Sequence, residues 1–143
     1  MSLFGNLFSA KTPDYPPLDD KSRAARRIAE VERELGELLG KVSEPLEVVP
    51  SDHAAYVFIG KPPKKFGLAW IHDGKVSGLN TLVEEHGVKP AEIEKVLESL
   101  REAYKRNQDA QHYTATIEDR KLVVTASEAL ERDVQNIIDR ITH

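Results

Sequence analysis

The chain has 143 residues, a formal net charge of −4, 40% hydrophobic and 31% charged residues, and no cysteine. Such a length suits one domain, and the apolar content is too high for a disordered chain. The missing cysteine excludes disulfides, thiolate zinc sites and a cysteine nucleophile, and the acidic balance counts against nonspecific attraction to nucleic acid or an anionic membrane.

The opening MSLFGNLFSAK lacks a basic start, and Gly5, Asn6 and Ser9 interrupt its apolar run, so it does not read as a signal peptide. No apolar run approaches the ~20 residues needed to span a bilayer. The expectation is a soluble, cytoplasmic protein without a membrane partner. Residues 1–18 read as an N-terminal arm. Leu3, Phe4, Leu7 and Phe8 would share one side of a helical turn, as a docking tip or as a tail folded back on the domain, and Pro13, Pro16 and Pro17 stop any helix. Residues 19–143 read as a single α+β domain.

Leu18 to Val42 carries the strongest helical pattern. Asp19 or Asp20 can cap it, and Ala24, Ile28, Val31, Leu35, Leu38 and Val42 recur at alternating spacings of four and three. One long helix of ~35 Å is expected. Its narrow heptad seam favours pairing with the same helix of a second chain, hence a homodimer, over packing on the chain's own sheet.

Glu47–Pro50 reads as a short, weak strand in which Pro50 suits an edge position or a strand end, and Lys75–Leu79 as a turn with Gly74 and Gly78. Thr81 and Glu84 have capping-box spacing for a short helix ending at Gly87, and Pro90 opens a second helix with Ile93, Val96, Leu97, Leu100 and Tyr104 on one face. His112–Ile117 and Lys121–Ala126 alternate as a strand pair joined through Glu118, Asp119 and Arg120, with Thr114 opposite Thr125. Ser127 caps a last helix with an apolar stripe of Leu130, Val134, Ile137, Ile138 and Ile141. The element order α-β-β-β-α-α-β-β-α predicts an α+β fold: an antiparallel sheet of about five strands with helices packed on it.

The densest stretch is Asp52–Gly74, a hairpin holding the only tryptophan, Trp70. A tip centred on Pro62-Pro63 pairs Ala55 with Trp70, Tyr56 with Ala69 and Phe58 with Gly67, large against small. It also sets His53 opposite His72, with Asp52 and Asp73 beside them. Opposed side chains have Cβ atoms about 5 Å apart, so both imidazoles could ligate one divalent metal, with a carboxylate completing the set. Inert, half-exposed histidines at a strand end are the plain alternative. Lys61, Lys64 and Lys65 surround the Pro-Pro tip, either as a cradle for an anion or acidic partner or as solvated charges that discourage aggregation. With Trp70 they are the candidate ligand-binding residues. Residues 79–100 have the outline of a DNA-binding helix-turn-helix, but the second helix begins with Lys89, Glu92, Glu94 and Lys95, little net positive charge for phosphates.

No elbow, zincin or EF-hand motif names a reaction, so no catalytic residue is assigned. The leading expectation is a non-catalytic protein-interaction module that dimerises through its N-terminal helix. The alternatives are a small-ligand or metal-binding domain at His53/His72, and the helix-turn-helix. No cofactor is expected beyond that candidate metal.

Overall fold

The computed structural model describes residues 15–142. The elements run α1 (Arg23–Glu30), α2 (Glu32–Lys41), β1 (Leu46–Ser51), β2 (Ala54–Lys61), β3 (Lys65–His72), β4 (Lys75–Gly78), α3 (Leu79–His86), α4 (Pro90–Arg106), β5 (Gln111–Ile117), β6 (Arg120–Ala126) and α5 (Glu128–Thr142). One six-stranded sheet has the order β4-β3-β2-β1-β6-β5. The fold is α+β with helices on both faces of that sheet.

The sheet corrects the expectation of about five antiparallel strands. Lys75–Gly78 is a strand rather than a turn, closed onto β3 through Asp73 and Gly74, both at positive φ (52° and 73°). β1 and β6 pair in parallel, so the sheet is mixed. β1 is central rather than an edge, and its Leu46, Val48 and Val49 are buried. It pairs with β6 through Glu47 and Val48, ahead of Pro50, which has no N–H to contribute.

The long N-terminal helix is also corrected. It breaks at Val31 (φ −121°, ψ 17°), whose N–H bonds to the carbonyl of Ile28 at 3.1 Å. Ser22, not Asp19 or Asp20, is the cap; its side chain accepts from the N–H of Ala25. The two shorter helices let one apolar stripe follow a twisted sheet that a straight rod would leave. Ile28, Val31, Leu35 and Leu38 are buried against Leu46, Val48, Ala55, Val57, Ala69 and Ile71 of the same chain. The seam expected to pair two copies is therefore occupied by the chain's own sheet.

Val49, Phe58 and Leu68 on the opposite face pack against Val96 and Leu100 of α4 and Leu130, Val134 and Ile137 of α5. The hairpin sorts its residues by size between these faces. Tyr56, Phe58, Phe66 and Trp70 lie with α4 and α5, while Ala55, Val57 and Ala69 lie under α1 and α2. Phe58 meets Phe66 and Tyr104 with ring centroids 5.5 and 5.4 Å apart.

Both hairpins depart from their expected registers because their turns do. In β2–β3 the loop is Pro62, Pro63 and Lys64, so Lys61 pairs with Lys65, Phe58 with Leu68 and Tyr56 with Trp70, one residue away from every expected partner. In β5–β6 the loop is Glu118 and Asp119 alone, at φ 50° and 65°. Its partners shift by two, so Thr125 faces His112 and Thr114 faces Val123. The end of the expected arm runs beside β5: Leu18 donates its N–H to the carbonyl of Thr114 (2.8 Å), and Thr114 donates to that of Pro16 (2.9 Å). Leu3, Phe4, Leu7 and Phe8 lie outside the described residues.

Candidate functional site

β3 is eight residues long and β4 four, so β3 runs on past the last pair, Ala69 with Gly78. On the face of α1 and α2, α2 stops at Lys41. The sheet corner that neither element covers is a groove of about 990 Å³. Ile59, Gly67, Ala69, Val76 and Gly78 make its floor, Leu38 and Lys41 one wall, and Lys61 and Lys65 its tip end. A Cβ on Gly67 would meet nothing within 4 Å, so the space above it is open.

Each rim is pinned by an arginine. Arg120 of β6 donates from Nη1 to the carbonyls of Leu39 (2.6 Å) and Val42 (2.7 Å) at the end of α2, and from Nη2 to those of Ser43 (3.5 Å) and Glu44 (3.4 Å). A cation among the terminal carbonyls both satisfies them and opposes the helix dipole. Arg101 of α4 donates from Nε to the carbonyl of Pro63 (2.6 Å) and from Nη2 to that of Lys64 (3.3 Å), with its guanidinium 5.7 Å from the centroid of the Phe66 ring. The Pro-Pro tip is thus tied to α4, and the backbone carrying Lys61 and Lys65 is held with it. Lys41, Lys61 and Lys65 have no carboxylate partner among the described residues. Glu44, the one carboxylate lining the groove among the described residues, stands on the α2 rim and accepts from the N–H of Ser43 at 3.2 Å.

Lys61 and Lys65 of the candidate ligand-binding residues therefore share this groove. Lys64 sits in the tip, where its carbonyl serves Arg101. Trp70 lies on the opposite face, beside α4 and α5.

The slipped register does not set His53 opposite His72. His72 pairs with Ala54, and His53 stands in the β1–β2 turn at φ 54°. The backbone N–H of His53 donates to Glu30 (3.0 Å), and its Nδ1 lies 3.4 Å from the same carboxylate. His72 Nε2 lies 3.3 Å from Asp73. Asp52 pairs with Arg27 at 3.0 Å. Arg27, whose side chain is 12% exposed, also pairs with Glu131 of α5 (3.3 Å), while Ser51 donates to Glu131 at 2.6 Å. These groups tie the α1 layer to the α5 layer around the sheet's end. Among the described residues, no three His, Asp or Glu side chains are grouped to hold a metal ion.

A second polar cluster had no signal in the sequence, because the two-residue slip in β5–β6 creates it. Glu47 accepts from Tyr104 (2.8 Å) and from Thr125 (2.6 Å). The single Thr125 proton is then committed, so its oxygen, 2.9 Å from His112 Nδ1, accepts from a protonated Nδ1. The Tyr15 ring stacks on His112 at 4.9 Å. Burial first, then the charge of Glu47 and the hydrogen bond to it, push the phenol pKa of Tyr104 upward. No buried side-chain N or O atom among the described residues lacks a hydrogen-bond partner, and these bonds make the cluster a brace between α4, β1, β6 and β5.

The residues of the helix-turn-helix outline lie in α3 and α4, with Gly87 at φ 64° between them. No helix among the described residues is long and apolar enough to cross a membrane. Comparison of the chain with family models, with curated proteins and with solved structures returned no match.

Proposed function

We propose that the protein is a non-catalytic interaction module whose contact surface is the groove between α2 and the β2–β3 tip, and that it takes a partner-protein segment combining apolar and acidic residues. One observation carries this reading. Three lysines without carboxylate partners among the described residues stand around an open, glycine-floored apolar groove whose two rims are fixed by Arg101 and Arg120. Fixed rims reduce the ordering cost of binding, and unneutralised cations favour an anionic partner and its encounter. The acidic net charge of the whole chain makes this basic corner a local feature.

The experiment is fluorescence anisotropy with labelled peptides that alternate glutamate and valine, against the same peptides with lysine for glutamate. Acidic peptides are expected to bind, with affinity falling as salt rises and at least tenfold weaker in Lys61→Glu/Lys65→Glu. Equal binding of acidic and basic peptides, or binding indifferent to the double substitution, would overturn the reading.

A further inference from the structure

We infer that the partner segment binds as an added β-strand, continuing the line of β4 along the part of β3 that β4 leaves uncovered. This rests on the groove's being the contact surface, and adds the backbone geometry by which it is read. The N–H of Gly60 bonds to the carbonyl of Pro45, so even-numbered residues of β2 turn their backbone groups towards β1 and odd-numbered ones towards β3. With β2 and β3 paired as Ile59 to Gly67 and Lys61 to Lys65, odd residues of β3 answer β2 and even residues face the β4 side. β4 meets β3 only as far as Ala69. Phe66 lies wholly beyond it and presents its N–H and C=O to the groove side with no strand opposite among the described residues.

Side-chain alternation then dictates the sequence of the added segment. Residues whose amides face Phe66 put their side chains on its face, beside the Phe66 ring. The residues between them point to the other face, where Gly67 leaves space and Lys61 and Lys65 stand. The segment is therefore extended, with apolar residues on the Phe66 side alternating with acidic residues on the lysine side. Charge complementarity favours such a partner over a second copy of this chain joined lysine to lysine.

The test uses the full chain, 15N-labelled, with an alternating glutamate–valine decapeptide and two N-methylated versions. One carries N-methyl groups on the valines and the other on the glutamates. Strand addition predicts that the peptide slows hydrogen exchange at the Phe66 amide. It also predicts that valine N-methylation weakens binding at least tenfold while glutamate N-methylation leaves it within about twofold. If the peptide binds with dependence on Lys61 and Lys65, but Phe66 exchange is unchanged and both N-methylated versions bind alike, strand addition is wrong and the groove reading stands. If no acidic peptide binds, both fall. If Phe66 is protected by raising the protein concentration without peptide, the occupant is a second copy and the inference fails.

Discussion

Arg120 and Arg101 act alike at opposite rims of the groove, each threading a guanidinium among backbone carbonyls that a neutral side chain would leave to water. Arg120→Met keeps the length of the side chain and removes every donor. A hydrogen bond to a charged group contributes about 1.5–3 kcal/mol, so this substitution is expected to lower the unfolding free energy by about 2 kcal/mol, read as a shifted urea midpoint at unchanged slope. An unchanged midpoint would show that the four carbonyls do not depend on Arg120. Tyr56 gives a test in pH. Burial first, then the charges of Asp139 and Glu131, push its phenol up to about 12. An unfolded tyrosine titrates at about 10. Its contribution is thus fully present below about pH 10 and is lost as pH rises towards 12, because the unfolded chain releases a proton that the native chain still holds. Denaturant midpoints measured across that window should fall less steeply in Tyr56→Phe than in the parent. Equal slopes would contradict the raised value.

Among the elements, α1 and α2 decide how the heptad stripe is understood. Leu35 is fully buried against the chain's own sheet. Leu35→Ala should cost about 3 kcal/mol through lost burial and the cavity left behind. If the stripe packs within the chain, the midpoints of parent and variant will not move with protein concentration; a rise with concentration would restore the seam to an interface between copies. The stripe itself was legible from Ile28, Val31, Leu35 and Leu38, as was that of α5 from Leu130, Val134, Ile137 and Ile138. What the stripe packs against was not, because a sheet and a second helix both ask for apolar residues at that period. The break at Val31 was hidden too, since neither glycine nor proline marks it. The two registers failed for a local reason. A tip assumed at Pro62-Pro63 excluded Lys64, and Glu118-Asp119 is not among the residue pairs that announce a turn with both centres at positive φ. One slip dissolved the expected His53–His72 pair, and the other built the Glu47–Thr125–His112 chain.

For the whole molecule, the groove arises from unequal lengths, an eight-residue β3 beside a four-residue β4 and a helix that ends at Lys41. Two of its lysines, Lys61 and Lys65, were visible in the cluster at the tip; Lys41, at the end of α2, was not. Its walls were not, because they join α2, the β2–β3 hairpin and β4, which meet only through the sheet order. Arg101 and Arg120 were likewise invisible as a pair, their targets lying 38 and 81 residues away in sequence for the closest contacts. Arg101→Met should loosen the tip without unfolding the domain, read as faster amide exchange around Lys61–Lys65, whereas unchanged exchange would mean the tip holds itself. The most direct test of the central claim fills the groove. Gly67 lies in a strand, and an added Cβ has open space, so Gly67→Leu should leave the urea midpoint at or above that of the parent. Calorimetric titration with the glutamate–valine decapeptide should then show binding weakened at least tenfold by Gly67→Leu alone; binding equal to the parent's in a folded Gly67→Leu would contradict the assignment of this groove as the contact surface.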